Sequence, residues 1–389
     1  MRRTHNPSTT LVAATAALAT VSRVVVAAEP CRDRRTWPFA AHSIWNTPIG
    51  SDAIYARANI FSPPAHPLEG FRVDTDHFIA TSTDDPLTIF IDQGWWGAND
   101  TRWGGKCGRD HCCLEGNRSG VIPFPKERLV APAGSRLQGD NNAAGVLLPD
   151  NETLVQFQPL YRCTAGSPLT SLTGTLHTSW ANVSILSAEN ASFGAHGGSH
   201  LSSIGGTIRL GELLPGAPPI RHALKLMLFA AHYYWPGNAT IPCFRWPALN
   251  CDGGRRGSRN PKDPNFYNGT DPALRPGSLL AVPPAAAKEI LPSLATAVGD
   301  KLLAALTDYG GYLDDNTAGS AGAFNVEDGV EDEVAAVYGG QTLRPSGPPD
   351  PLYADLLAIY RALHVVANNG PTSVGGGGRP RRPRAPPIC

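Results

Sequence analysis

The chain has 389 residues, 42% of them hydrophobic, with 41 glycines and 36 prolines. Lys and Arg number 33 against 33 Asp and Glu, so the formal charge is zero and nothing argues for a nucleic-acid partner. Gly and Pro at this level are high for a helical protein and usual for a fold with many turns.

Arg2, Arg3 and His5 precede an Ala/Val/Leu-rich stretch from Leu11 to Ala28, the pattern of a secretory signal peptide over residues 1–28. Cleavage fits after Ala19 or after Ala28, and Arg23, which interrupts the stretch, favours the earlier cut. A membrane anchor is the alternative, but the uninterrupted apolar run is short for a bilayer and no second run follows, so no membrane span is expected.

Beyond it, short strand-like runs dominate. Gly70 to Ala80, Leu87 to Asp92, Gly120 to Pro123 and Val146 to Leu148 read as strands, with longer runs at Thr153 to Arg162 and His177 to Ser187. Pro149 to Glu152 reads as a hairpin turn. Ile220 to Phe229 is ambiguous between strand and helix, and its Pro218-Pro219 entry leans towards strand. Pro284 to Leu294, Asp300 to Tyr309 and Asp350 to Leu363 have helical spacing of apolar residues. The expected fold is therefore mainly β, a mostly antiparallel β-sandwich or jelly roll with a few peripheral α-helices. It occupies residues 29–374 as one domain, with long loops at about 235–277 and at 339–351, followed by a Gly/Arg/Pro-rich tail, 375–389. The four arginines of that tail suit either a solvated end or an acidic polysaccharide.

Seven Asn-x-Ser/Thr sequons begin at Asn99, Asn117, Asn151, Asn182, Asn190, Asn238 and Asn268, and behind a signal peptide they predict a surface-glycosylated, secreted chain. Eight cysteines fit that oxidising compartment, with Cys243 and Cys251 placed for a local disulfide and Cys31 and Cys389 for one joining the termini. Zinc at Cys107, His111, Cys112 and Cys113 is the rival, but CGRDHCC matches no common zinc spacing.

The segment most suggestive of chemistry is SFGAHGGSHLSSIGGTIRLGEL, Ser192 to Leu213. His196 and His200 stand four apart among glycines that permit unusual backbone angles and close approach, and histidine titrates near neutrality. A metal on this pair lacks a carboxylate at matching spacing, so no metal and no cofactor are expected. If Thr207 to Leu213 is a strand, Arg209 and Glu212 lie on opposite faces and cannot share a cleft unless the strand bulges or ends. His222, in the same way, would share a face with Leu224, Leu226 and Leu228, equally suited to a core histidine and to a catalytic one. In DYGGYLDDN, Tyr309 and Tyr312 are candidate sugar platforms, and Asp314 and Asp315 would alternate sides if extended. A helix ending at Tyr309-Gly310 with a polar turn after it is the preferred reading there. Trp95, Trp96 and Trp103, with Asp92, either line a carbohydrate-binding face or pack beneath the cysteine-rich loop.

GAHGGSHLSSIGGTIRLGEL followed by PIRHALKL, RPGSLLAVPP, ALTDYGGYLDDN and the late HVVANNGP and GGGG resembles a family of large secreted proteins found mainly in bacteria. More loosely the chain resembles extracellular β-sandwich proteins that act on polysaccharide. The resemblance runs over most of the chain from Trp37 and implies a carbohydrate substrate. The motifs of jelly-roll alginate and glucuronan lyases are absent.

The leading expectation is a polysaccharide lyase acting as a monomer on polysaccharide or cell-wall glycan. It would use His196 or His200 as base, Tyr309 or Tyr312 as acid and Arg209 as carboxylate partner. A glycoside hydrolase would rely instead on Glu212 with Asp314 or Asp315. A non-catalytic matrix protein would bind glycans through Trp95, Trp96 and Tyr312, and a metal-dependent oxidase would use the histidines.

Overall fold

Fifteen strands, fourteen of them in two sheets, appear in a computed structural model that describes residues 31–62, 68–93, 112–137, 141–171, 182–187, 192–253, 266–317 and 319–389. In chain order the strands are β1 (Tyr55–Arg57), β2 (Gly70–Ala80), β3 (Leu87–Asp92), β4 (Asn117–Pro123), β5 (Ala144–Leu147), β6 (Thr153–Phe157), β7 (Leu160–Tyr161) and β8 (Leu169–Ser171). They continue with β9 (Asn182–Ser184), β10 (Phe193–His196), β11 (Leu224–Leu228), β12 (Leu279–Ala281), β13 (Gly311–Asn316), β14 (Ala321–Glu327) and β15 (His364–Val366). One sheet has the order β1-β15-β12-β13-β11-β14-β2-β5-β6-β9, the other β4-β3-β8-β7. The mainly β expectation holds. Antiparallel pairs are in the majority, but β13–β11, β14–β2, β2–β5 and β3–β8 are parallel.

Two expected runs, β2 and β3, appear with their expected bounds. The turn at 149–152 joins the antiparallel pair β5–β6, with Asn151 at φ 55°. The run from Thr153 is broken into β6 and β7 around the cis peptide Gln158-Pro159. Ile220 to Phe229 resolves as strand, though only from Leu224. Segment 1–30, the tryptophans Trp95, Trp96 and Trp103, and the sequons at Asn99 and Asn190 lie outside the described residues.

Among the described residues the α-helices number five: α1 (Ala230–Tyr233), α2 (Pro284–Ile290), α3 (Ala297–Asp308), α4 (Val330–Val337) and α5 (Pro351–Ala362). Helix α5 starts where Asp350 accepts from the N–H groups of Leu352 and Tyr353 with Pro351 in the first turn, and α3 starts where Thr296 accepts from Gly299 N.

The large sheet has two chemically different faces because side chains alternate along each strand. On one face Phe71 and Val73 of β2, Leu224, Leu226 and Leu228 of β11, Leu313 of β13 and Phe324 and Val326 of β14 form a single apolar core. That core is covered by Leu302, Leu303 and Leu306 of α3, Val330 and Val334 of α4, and Leu352, Leu356 and Ile359 of α5. On the opposite face Tyr312, Leu279 and Val366 pack with Trp45, Ile204 and Leu201. A third cluster joins Val146, Val155 and Phe157 of the large sheet to Leu160 and Leu169 of the small one, with Phe90 at its edge. This is the sandwich.

Three disulfides are described: Cys31–Cys389, Cys112–Cys163 and Cys243–Cys251. The first and third are the pairings suggested by placement in the sequence. The tail is an ordered strap: Gly50 N donates to Gly375 O, Ser51 N to Arg379 O and Arg381 N to Ile49 O. No helix among the described residues is long and apolar enough to cross a membrane.

Buried Asp355 of α5 holds the start of α3, accepting from Ala295 N and Thr296 N at 2.9 Å each and from the Thr296 hydroxyl at 2.6 Å. Removing the carboxylate orphans these donors, so Asp355→Ala should lower unfolding free energy by roughly 2–4 kcal/mol in a denaturant titration. A loss within measurement error would show that these bonds contribute nothing net.

Candidate functional site

Four neighbouring strands, β13-β11-β14-β2, turn polar residues away from the helical core. Strand β2 contributes Asp74 and Asp76, two residues apart and thus on one face; β14 contributes Asn325, β11 Lys225, and β13 Asp314 and Asp315. Above them lies the Gly/His loop, with β10 folding back so that His200 N donates to His196 O and Gly194 N to His200 O. Gln156 of β6 fastens the loop, its Oε1 accepting from Ser203 N at 2.7 Å and the Ser202 hydroxyl at 3.1 Å.

His196 is the centre of this cluster and has no exposed surface. Its Nδ1 lies 2.6 Å from Asp314 Oδ2, and its Nε2 lies 3.2 Å from Asp76 Oδ1 and 3.4 Å from Asp74 Oδ2. Burial alone would push the imidazole down. The Asp314 and Asp76 carboxylates outweigh both burial and the repulsion of Lys225, and hold His196 well above the ordinary 6.5. The protonated Nε2 faces the Asp76 and Asp74 carboxylates as acceptors, and the Asn325 carboxamide nitrogen, 2.8 Å from this Nε2, donates to Asp76 Oδ1 at 3.2 Å.

Lys225 is the second buried cation. Its Nζ lies 2.9 Å from Asp76 Oδ2 and 4.0 Å from Asp314 Oδ2, and donates to the carbonyls of Ser202 and Ser203 at 3.1 and 3.2 Å. Burial raises Asp76, but Lys225 and His196 overcome it and keep the carboxyl below its usual range. Thr207 donates its hydroxyl to Asp76, and Ser199 donates its hydroxyl to Asp314. Each buried charge is thus paired and hydrogen-bonded, as burial requires.

Asp315 differs. Burial and the neighbouring exposed Asp252 push its carboxyl up to about 7. Its Oδ1 accepts from Asn316 N at 2.8 Å and from Gly198 N at 3.4 Å. Asn141 uses one amide nitrogen twice, donating to Asp315 Oδ2 at 3.1 Å and to Asp74 Oδ2 at 3.2 Å. Tyr267 donates to Asp252 Oδ1 at 2.8 Å and packs edge-on against Tyr234, whose hydroxyl donates to the Asp315 carbonyl at 2.6 Å.

Two local devices make the cluster possible. The β11–β13 register pairs Leu226 with Leu313 but Leu228 with Asn316, a bulge that sets Asp314 and Asp315 together opposite Met227. Strict alternation would have sent these carboxylates to opposite faces; with the bulge both reach the Gly/His loop. The loop, in turn, can sit on them only because it is bare. A Cβ on Gly197 would collide with the Asp315 side chain, and one on Gly198 would lie 2.5 Å from Asp252 Oδ1.

Of the residues singled out in the sequence, His196 and Asp314 come together, and Asp315 joins them. His200 closes the turn at φ 57° with its side chain half-buried. Arg209, Glu212 and His222 form a separate group. The stretch from Thr207 is a turn, not the expected strand, bent at Gly211 (φ 87°), so Arg209 N donates to Glu212 Oε2 at 2.7 Å. Glu212 also meets His222 Nε2 at 3.1 Å, and Arg209 pairs with Glu327 at 2.9 Å while lying over the Phe78 ring. Burial opposes both charges of the Glu212–His222 pair, yet their attraction lowers Glu212 and raises His222. Tyr309 and Tyr312 are core residues, Tyr312 edge-on to Trp45 at 5.7 Å. The polar turn expected after Tyr309-Gly310 is instead the buried strand β13. Trp95 and Trp96 fall outside the described residues.

Asp74, Asp76, Asn141, Lys225, Asp252 and Asn325 were not singled out in the sequence. Two signals pointed to some of them: the alternating Asp74 and Asp76 in a strand-like run, and Lys225 alone inside apolar LKLML. One ligand atom each from Asp74, Asp76 and His196 lie within 4.8 Å of one another, the spacing of a metal site. Lys225 Nζ and a protonated His196 already supply positive charge there, so a metal would have to displace both.

Compared with protein-family models, curated proteins and solved structures, the chain matches none of them.

Removing Lys225 leaves Asp76 and Asp314 short of a counter-charge, so Lys225→Met should cost roughly 3–5 kcal/mol of stability. Adding Asp76→Asn should return a large part of that loss. Chemical denaturation of the single and double variants measures the coupling, and additive losses would mean the pair does not interact.

Proposed function

We propose that the chain is a secreted glycosidase that cleaves a glycan through Asp315 and Asp74 with retention of configuration. The observation that carries this is the half-buried Asn141 amide donating to both carboxylates, with exposed Asp252 beside Asp315 and Asp315 raised to about 7. A carboxyl titrating near neutrality is suited to give a proton to a glycosidic oxygen. The two oxygens share one nitrogen at 3.1 and 3.2 Å and so lie at most about 6.3 Å apart, a bound that admits the ~5–5.5 Å carboxyl separation of retaining sites.

In this reading Asp315 protonates the leaving oxygen while Asp74 attacks the anomeric carbon, giving a glycosyl ester. Asp315, now ionised, takes a proton from water; the water oxygen attacks the anomeric carbon, the ester bond breaks, and both carboxyl groups return to their starting states. His196 and Lys225 do not touch substrate and act by holding Asp76 and Asp314 in place. The carboxylate reading is preferred to the lyase because Arg209, Tyr309 and Tyr312 stand apart from His196. A fully buried His196 already carrying a proton is also no base. The disulfides and the exposed sequons Asn238 and Asn268 support the secreted, glycosylated part of the proposal.

The test is a panel of neutral and acidic glycans assayed for new reducing ends and for unsaturated uronate absorbance. Reducing ends should appear without absorbance, the first-formed product should keep the substrate's anomeric configuration by NMR, and the rate should fall above pH about 7 as Asp315 loses its proton. Asp315→Asn should lower kcat by about 10²–10⁴. It should also remove a pH effect on stability: a carboxyl raised from 3.8 to about 7 in the folded state costs stability progressively as pH rises through that window, so the variant should gain on the parent above pH 7. Uronate absorbance, an inverted product or a fully active Asp315→Asn would overturn the proposal.

A further inference from the structure

We infer a second, non-catalytic binding site for a sugar unit bearing an anionic group, in the pocket between the 42–50 segment and the glycine strap. It shares no residue with the carboxylate cluster. The pocket has a volume of about 290 Å³, and its polar lining includes His42, Thr47, Thr372, Ser373 and Arg384. That is near the lower end of ligand-sized pockets, roughly 300–1,000 Å³, and far larger than a bare oxyanion needs.

Its walls are built in advance. Gly375, Gly376, Gly377 and Gly378 all have positive φ, between 68° and 88°, and wind the strap tightly past Gly50, where a Cβ would strike the Gly377 carbonyl. Gly50 N donates to Gly375 O at 2.9 Å, Asp52 N to Gly377 O at 3.3 Å, and Gly375 N to Asn369 Oδ1 at 3.0 Å. The Cys31–Cys389 disulfide anchors the end of the strap. A preformed pocket binds without the cost of ordering its walls.

The charge of Arg384 sets the ligand class. Among the tail arginines, Arg381 donates to Thr307 O and to the Tyr55 hydroxyl, and Arg382 pairs with Asp308 at 2.7 Å. Arg384 has no such partner among the described residues and lines the pocket with His42. Asp52 lies beside Gly378, accepts from the Ser51 hydroxyl, and is not part of the lining. The guanidinium matches a carboxylate or sulfate bidentately. Thr372 offers a hydroxyl to a sugar's own, Thr47 and Ser373, whose hydroxyls donate to the Ser43 and Asn368 carbonyls, offer acceptor oxygens, and the rings of Pro48, Pro371 and Pro380 give apolar surface for its C–H faces.

The test is titration of the whole, folded protein by calorimetry with glucuronate, glucose 6-sulfate, glucose and inorganic sulfate. Glucuronate and glucose 6-sulfate should bind saturably and at least about tenfold more tightly than glucose or sulfate. Arg384→Gln, at an exposed position that leaves the melting temperature unchanged, should remove that advantage, and Thr372→Phe should fill the pocket and weaken both anionic sugars. The two anionic probes separate carboxylate from sulfate preference. Sulfate binding as tightly as the charged sugars would reduce the site to an ion site and overturn the inference. So would no binding of either charged sugar, or unchanged binding in Arg384→Gln.

Discussion

Everything at the candidate site depends on one electrostatic constraint: three carboxylates, Asp74, Asp76 and Asp314, crowd onto one face of a sheet whose other face is the apolar core. Such charges are tolerated only if opposite charge is buried with them. His196 and Lys225 supply it, and their positions follow from strand alternation on β11 and from the loop that β10 begins. Asp314 does most to raise His196 and Lys225 most to lower Asp76, and the His196–Asp76 attraction contributes to both shifts.

The division of labour across the sheet explains why the site is precise. Helices α3, α4 and α5 bury the apolar face and fix the strands, so the polar face inherits its geometry from a packed core. Side chains set by packed strands hold position better than side chains on free loops. The Gly/His loop then adds His196 and Ser199, and its bare Gly197 and Gly198 let it approach Asp315 and Asp252 closely. Only Asp315 escapes full compensation. It lies next to another carboxylate, Asp252, and its raised proton affinity is the consequence.

Local chemistry was legible in the sequence, and long-range pairing was not. The ends of β2 and β3, the starts of the helices at Pro284 and Asp350, and the placement of Cys31, Cys243, Cys251 and Cys389 all rest on signals within a few residues. His196 was legible because glycines surround it, and Asp314 because it sits in a polar run. That β2 should lie beside β14, about 250 residues later, and so bring Asp74 opposite Asn325, is a property of parallel pairing that no local pattern encodes. The bulge in β13 reversed the expectation for Asp314 and Asp315, since one extra residue cancels the alternation on which it rested. The turn at Gly211, where a strand was expected, did the same for Arg209 and Glu212.

The protonation state of His196 tests this account most directly. Nitrogen-15 NMR of histidine-labelled protein between pH 6 and 9 distinguishes an imidazolium from either neutral tautomer. The account predicts that His196 keeps both protons well past pH 6.5, and that Asp314→Asn brings its titration down. A His196 ring already neutral at pH 6 in the parent protein would contradict it, because the buried carboxylates would then lack the charge on which the site depends.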